Sequence, residues 1–359
     1  MADGATAGHK RRRVEGDGDV DDLQAASFTK HGRLWFEDGN VILICDQTGF
    51  RVHRSLLSLH SSVFRDMFDV ATPGDDLSEG IPVVHLSDDP FKIAKFLGFF
   101  YFRDEIPTHI GPVLDFFEIS SKYDVPLIRD LCVANLRRAF PDTLSSFQDA
   151  RTYRNDELDM DLTSSLRCVN LANAQGLHLL LPAMTLTCVA KYTFDTATED
   201  IELYSILQSL GLPLSLQPKL ASWSRKLLSE KRTKVDGHIQ QFLQDPDRER
   251  NYHCAQQLAI AFLSYTNQTF LCADEWRHEY DLDIFVKDMY AADLTRMADD
   301  VCDDCIQEWK EKEKAGRKEL WDALPGYFDL GTWEELRMKD SDVPGNSTEE
   351  VFSNADASG

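Results

Sequence analysis

The sequence lacks long, purely apolar runs. Uncharged stretches such as positions 203–218 are interrupted by Gln, Ser, Gly and two prolines, whereas a membrane-spanning helix needs about 20 consecutive apolar residues. The opening residues, MADGATAGHKRRR, have no apolar segment after their charges, and a secretory signal would have one. We therefore expect an intracellular protein, in the nucleus, the cytoplasm or both, that has no membrane contact.

Basic residues are scarce relative to acidic ones. The chain of 359 residues has 38 Lys and Arg against 61 Asp and Glu, which gives a formal net charge of −23. A field of this sign repels phosphate backbones. We therefore expect no direct binding of nucleic acid.

Catalytic motifs are also lacking. The sequence contains no G-x-S-x-G, no Gly-rich phosphate loop and no H-E-x-x-H. Acidic pairs are common, as expected at this composition, but none stands beside an evident catalytic partner. These absences predict a protein that is not an enzyme.

The eight cysteines are scattered, and in a reducing compartment this pattern favours buried thiols or metal ligands over disulfides. Cys302 and Cys305 form a C-x-x-C, a spacing that brings two thiolates within reach of one tetrahedral ion. Zinc needs about two more ligands. The residues available for this are His253, Cys254, Cys272 and His278. The alternative is two partly buried thiols on one helix, with no cofactor.

The composition predicts four segments. Residues 1–26 and 339–359 are rich in small and polar residues and are expected to be disordered tails, whereas 27–142 and 143–338 are expected to be folded domains. The first tail contains a basic cluster that is a candidate nuclear import signal. Its members are Lys10, Arg11, Arg12 and Arg13. The alternative is a solvated charge run that balances the Asp-rich residues after it.

The first domain begins with signals for strands. Positions 41–45 are continuously apolar, which predicts a strand buried on both faces. Turn residues follow, and positions 50–53 return as the second strand of a hairpin. Ser55 and Ser61 are predicted to cap two short helices, and positions 83–86 are predicted to form a third strand.

Helices dominate the rest. Positions 88–90, Asp-Asp-Pro, are expected to start a helix over 91–101 that is apolar almost all round and must lie in the interior or against a partner. A helix over 111–122 follows, and Asp-Val-Pro at 124–126 is predicted to cap the next. Strand signals fade after this point, so the sequence predicts an α+β fold, a small sheet capped by helices and followed by a mostly α-helical domain.

Residues 35–68, WFEDGNVILICDQTGFRVHRSLLSLHSSVFRDMF, resemble the start of a BTB/POZ domain. That family has Asp-x-x-Val-x-Leu, a short turn, Phe-x-Val-His-(Lys/Arg)-x-x-Leu, and then Ser-x-x-Phe-x-x-Met-Phe. The matching positions are Asp38, Val41, Leu43, Phe50, Val52, His53, Arg54, Leu57, Ser61, Ser62, Phe64, Met67 and Phe68. The later segments VVHLSDDPFKIAKFLGFFYF and VLDFFEISSKYDVPLIRDLCVANL are similar to the remaining strand and helices.

The resemblance implies a protein-interaction module. In this family the conserved His lies where strand passes into helix, so we expect His53 to be structural, held by hydrogen bonds to backbone. BTB domains frequently dimerise, aided by an extra N-terminal helix and strand. Here only residues 27–34 precede the matching part, with Gly32 among them, which argues against a dimer with exchanged strands.

Some BTB domains bind a cullin scaffold through a motif of an apolar residue, any residue and Glu. Leu77 and Glu79 fit this pattern in the loop before the third predicted strand. The apolar side chain would enter a groove on the cullin and the carboxylate would orient it. The alternative is a solvated acidic loop.

The second half, with VNLANAQGLHLLLPAMTLTCVA and GRKELWDALPGYFDLGTWEEL, is similar to the helical half of many fungal BTB proteins. Those relatives often pair a cysteine near Cys254 with a later C-x-x-C, which adds Cys254 to Cys302 and Cys305 as candidate zinc ligands. We therefore expect a non-enzymatic adaptor or scaffold that binds itself or another protein, with a role as substrate adaptor of a cullin ubiquitin ligase as one candidate. The alternatives are a nuclear transcriptional co-regulator and a zinc-dependent factor.

Overall fold

The computed structural model divides the chain into two compact units, with the boundary between Asp104 and Glu105. We call these unit 1 and unit 2 and describe each by itself. The residues that the structure describes are 28–70, 77–78, 80–153, 160–198, 202–231, 233–234, 237–244, 253–254, 256–260 and 301–341. The predicted boundaries between tails and domains stay predictions.

Unit 1 contains a small mixed sheet and three helices among its described residues. In chain order they are β1 (Thr29–Trp35), β2 (Val41–Cys45), β3 (Thr48–Val52), α1 (Arg54–His60), α2 (Ser62–Val70), β4 (Leu77–Ser78), β5 (Ile81–Leu86) and α3 (Pro90–Phe102). The strand order is β1-β3-β2-β5-β4. β2 is antiparallel to β3 and parallel to β5, while β1 runs parallel to β3.

β2 lies at the centre of this sheet. All five of its residues are buried, because strands flank it on both sides and both of its faces are covered. The continuous apolar run predicted this strand correctly. A two-residue turn leads into β3, and Asp46 in that turn adopts the left-handed conformation, with φ 49°, which Asp tolerates better than most residues.

β1 was not predicted as a strand. Only Leu34 of its seven residues is buried, so the alternation of apolar and polar residues that reveals a half-buried strand is absent. Gly32 does not interrupt it, since the strand runs continuously from Thr29 to Trp35. The strand also changes register against β3 between Lys30 and Trp35.

The two short helices begin differently. The Ser61 hydroxyl accepts a hydrogen bond of 3.0 Å from the Phe64 backbone N–H, as a capping serine should. The prediction that Ser55 caps the first helix is wrong, because His53 holds the cap position and Ser55 lies inside α1. His53, which directly follows β3, has the extended backbone of a cap residue, so α1 begins earlier than predicted, at Arg54.

α3 begins as predicted. The Asp89 carboxylate accepts hydrogen bonds from the backbone N–H groups of Phe91 and Lys92, at 2.9 and 3.0 Å, and Pro90 occupies the first turn. The helix buries Ile93, Phe96 and Leu97 but leaves Phe91 exposed. Its apolar surface therefore lies only partly in the interior of this chain.

Unit 2 contains helices and no strand among its described residues. Its elements are α4 (Ile110–Lys122), α5 (Pro126–Ala139), α6 (Leu144–Tyr153), α7 (Leu162–Ala174), a 3-10 turn (His178–Leu180), α8 (Leu181–Thr198), α9 (Leu203–Ser209), α10 (Leu216–Lys231), α11 (Gly237–Leu243), α12 (Asp303–Asp322), α13 (Leu324–Tyr327) and α14 (Trp333–Ser341). Together with the sheet of unit 1, these helices confirm the α+β class.

The start of α5 departs from the prediction of an acidic cap. Val125 occupies the cap position and contributes no side-chain hydrogen bond. Asp124 has φ 48°, a left-handed conformation that belongs to the turn ending α4. Pro126 in the first turn was predicted correctly.

Residues far apart in sequence are joined within unit 2. Arg137 of α5 and Asp340 of α14 form an ion pair with an N–O distance of 2.6 Å. Arg337 of α14 lies 2.8 Å from Asp142, and the indole N–H of Trp321 donates to the Asp142 carbonyl at 3.2 Å. The last helices are therefore fastened to the chain around α5 and α6.

Among the described residues, no helix has the length and apolar character that crossing a bilayer requires.

Candidate functional site

His53 lies at the junction between β3 and α1. Its backbone N–H donates a 2.8 Å hydrogen bond to the Tyr101 hydroxyl, and its Nδ1 lies 3.2 Å from the same oxygen. Its Nε2 is 3.3 Å from a carboxylate oxygen of Asp38. The ring therefore connects the strand-to-helix junction with the C-terminal end of α3, through the side chains of Tyr101 and Asp38 rather than through the backbone groups that were predicted.

Aromatic rings surround this junction. The Phe36 ring is stacked on Tyr101 with centroids 4.6 Å apart, and it lies 5.5 Å from the His53 ring. Burial raises the pKa of Tyr101, although the hydrogen bond from the His53 backbone opposes that shift. The hydroxyl therefore stays protonated at neutral pH and remains available for hydrogen bonding.

The other residues that resemble the BTB pattern lie mostly in the core of unit 1. Buried members are Phe50, Val52, Leu57, Ser61, Phe64 and Phe68, whereas Met67 is half-buried and Asp38 is exposed. The pattern therefore identifies mainly the side chains that pack in the core of unit 1. It places strands and helices but leaves open which surface meets a partner.

Several large apolar side chains of unit 1 are exposed. Leu59 on α1 is 71% exposed, Val70 at the end of α2 is 81% exposed, and Leu77 on β4 is 55% exposed. Phe91 on α3 is exposed as well. Single exposed apolar residues are normal on a protein surface, so each of these four is a candidate contact residue for a partner.

Leu77 lies on the two-residue strand β4, where the sequence predicted a loop, at the edge of the sheet opposite β1. It pairs with Pro82 of β5, and a proline has no N–H to donate to its neighbour. Glu79, the second residue of the candidate cullin motif, lies outside the described residues, as do Lys10, Arg11, Arg12 and Arg13.

The candidate zinc ligands meet in unit 2. The sulfur atoms of Cys254, Cys302 and Cys305 all lie within 4.8 Å of one another. Cys302 is the cap residue of α12 and Cys305 belongs to its first turn, while Cys254 comes from a helical segment 48 positions earlier in the chain. The Cys302 backbone N–H donates to the Cys254 sulfur at 3.4 Å.

The environments of these thiols differ. Cys302 is exposed, whereas Cys254 and Cys305 are buried. Hydrogen bonds from the backbone N–H and the thiol of Cys305 lower the pKa of Cys302. Burial raises the pKa of Cys305 to about 12.

Other potential ligands do not join this group in the described part of unit 2. His253 is exposed and is not one of the three clustered residues, and Cys272 and His278 lie outside the described residues. None of the seven described cysteines forms a disulfide.

Comparison with known protein families gives one match. Residues 36–139 match the BTB/POZ domain family. The family is a class of protein-interaction domain and is generally non-enzymatic. No curated protein matches the chain. The matched region begins directly after β1 and ends with α5, so it includes the exposed apolar residues of unit 1 but not the three clustered thiols.

Proposed function

We propose, from the BTB/POZ domain at residues 36–139, that this chain is a non-enzymatic adaptor that binds other proteins, with a cullin scaffold as its principal partner. The observation that carries the proposal is the exposure of Leu77 on the edge strand of that domain. A leucine in this position gains from burial in a partner because its own fold does not bury it.

The size of that gain sets the expected affinity change. Burying apolar surface contributes about 25 cal/mol per Å², and an anchor residue in a partner groove is worth about 2 kcal/mol or more. Removing such an anchor weakens binding by more than tenfold, since about 1.4 kcal/mol corresponds to a factor of ten. Glu79 would orient the partner by charge.

The test measures binding of the full chain to the N-terminal region of a cullin by isothermal titration calorimetry. Leu77→Ala is expected to weaken binding more than tenfold. Leu214→Ala is the matched control because Leu214 is 49% exposed and lies in unit 2. Absence of wild-type binding at micromolar concentrations, or equal affinities for both variants, would contradict the proposal.

Association with a second copy is the other form of partner binding that the domain supports. Sedimentation velocity of the full chain over a range of concentrations tests it. A single species with the mass of one chain at every concentration would leave hetero-association as the operating mode.

The nuclear co-regulator alternative depends on Lys10, Arg11, Arg12 and Arg13 and stays a prediction. Replacing all four by alanine should move a tagged protein from nucleus to cytoplasm. Cytoplasmic location of the unaltered protein would reject it. The fungal family assignment of the helical half also stays a prediction.

A further inference from the structure

Beyond partner binding by the BTB domain, we propose that Cys254, Cys302 and Cys305 bind one thiophilic metal ion, zinc, in a three-thiolate site. Three cysteines from two separate segments converge here. The C-x-x-C spacing brings only two of them together. The third arrives through the fold.

The distances fit such an ion. Zinc–sulfur bonds of about 2.3 Å in tetrahedral geometry place the sulfur atoms about 3.8 Å from one another. The three sulfurs already lie within 4.8 Å of one another. Side-chain rotations that move each sulfur by less than about 1 Å therefore complete the geometry, with no change in backbone.

The start of α12 suits bound thiolates electrostatically. Three thiolates around a divalent cation leave one net negative charge, and the positive end of a helix dipole favours negative charge at this position. Cys302 occupies the cap and Cys305 the first turn of this 20-residue helix. The backbone N–H of Cys302 also donates a hydrogen bond to the Cys254 sulfur. This contact orients the Cys254 side chain toward the start of α12, independently of the C-x-x-C spacing.

Access and anchoring are divided among the three residues. Cys302 is exposed and offers a path for the ion, whereas Cys254 and Cys305 are buried and hold fixed positions. Three protein ligands leave a fourth tetrahedral position for water or another donor. Because the ion would cross-link residues 48 positions apart, its binding should also stabilise unit 2.

The experiment titrates Co²⁺ into the full chain, which is stripped of metal, fully reduced and then kept free of oxygen and of added reductant. Wild type should develop thiolate-to-cobalt charge-transfer absorption and the visible bands of tetrahedral cobalt, saturating at about one ion per chain. Zn²⁺ should displace the cobalt and abolish both.

Two serine variants and one control decide the assignment. Cys302→Ser and Cys305→Ser should each weaken cobalt binding by more than about 100-fold, beyond the cost of losing an outer-shell partner. Cys132→Ala removes a buried thiol elsewhere in unit 2 and should leave the spectrum unchanged.

Cys302→Ser is the decisive variant because an exposed side chain can be changed without disturbing the core. Loss of the cobalt spectrum with unchanged circular dichroism supports the site. A wild-type chain without the spectrum, or a Cys302→Ser chain that retains it, overturns the proposal.

Discussion

Units 1 and 2 are held together over different distances in sequence. In unit 1, β2 and β3 pair across a two-residue turn, the hydrogen bond from His53 to Tyr101 spans 48 positions, and the stacked rings of Phe36 and Tyr101 join the region after β1 to the end of α3. In unit 2, Arg137 and Asp340 are 203 positions apart. The contacts of unit 1 therefore span shorter sequence separations than those of unit 2, and unit 2 is complete only when its last helix is in place.

Because their contacts span different sequence separations, the two units should lose stability in different ways when residues are replaced. A local core tolerates loss of distant residues but is sensitive to a change within its own few layers. A fold closed by its last helix depends on individual long-range contacts, because each one offsets the entropy of ordering a long intervening chain. The predictions below test this contrast.

The largest effect is expected from Phe64→Ala. Phe64 is fully buried in unit 1, and removing such a ring costs about 3–5 kcal/mol of unfolding free energy. Urea unfolding followed by circular dichroism measures it. Phe91→Ala on the exposed side of α3 is the control, with an expected change below about 1 kcal/mol. Equal losses of unfolding free energy for the two variants would mean that Phe64 does not lie in the core of unit 1.

An intermediate effect is expected from Arg137→Ala. This change leaves the buried Asp340 carboxylate without its arginine, at a cost of about 2 kcal/mol, the low end for a desolvated pair because Arg137 is partly exposed. The more exposed pair gives the comparison, and Arg337→Ala should cost about 0.5–1 kcal/mol. Thermal unfolding of both variants measures which one loses more stability. A greater loss for Arg337→Ala would contradict the conclusion that the Arg137–Asp340 pair holds the last helix in unit 2.

The smallest effects are expected at two helix caps, one in each unit. Asp89 accepts hydrogen bonds at the start of α3, and Asp161 accepts one from the Ser164 N–H at the start of α7. Replacing either by alanine should cost about 1 kcal/mol. Denaturant titration of Asp89→Ala and Asp161→Ala should give similar losses, since capping is local in both. A loss several times greater in unit 2 would show that caps there also carry long-range contacts.

The elements that could be predicted are those encoded by a local sequence pattern. The apolar run of β2 and the Asp-Pro start of α3 each indicate a strand or a helix start within a few residues, so the positions of both elements were predicted. β1 was missed because only Leu34 of that strand is buried. The caps expected at Ser55 and Asp124 were wrong because the preceding strand and turn decide where α1 and α5 begin.

The candidate sites show the same division. The C-x-x-C at Cys302 and Cys305 was visible from spacing alone, while Cys254 was one of four available ligands and was selected among them by resemblance to a family. That the three sulfurs meet follows from the packing of unit 2, which no local pattern encodes. The partners of Arg137 and Trp321 were likewise unpredictable, since they lie 203 and 179 positions away.

The location of β1 bears on how reversibly two copies of this chain can join. β1 is paired with β3 of the same chain, so its hydrogen bonds need not be broken when copies separate. Dimers that trade strands must partly unfold to dissociate. Copies of this chain that associate through surface residues alone would exchange partners soon after two labelled populations are mixed, because no strand has to leave its sheet first.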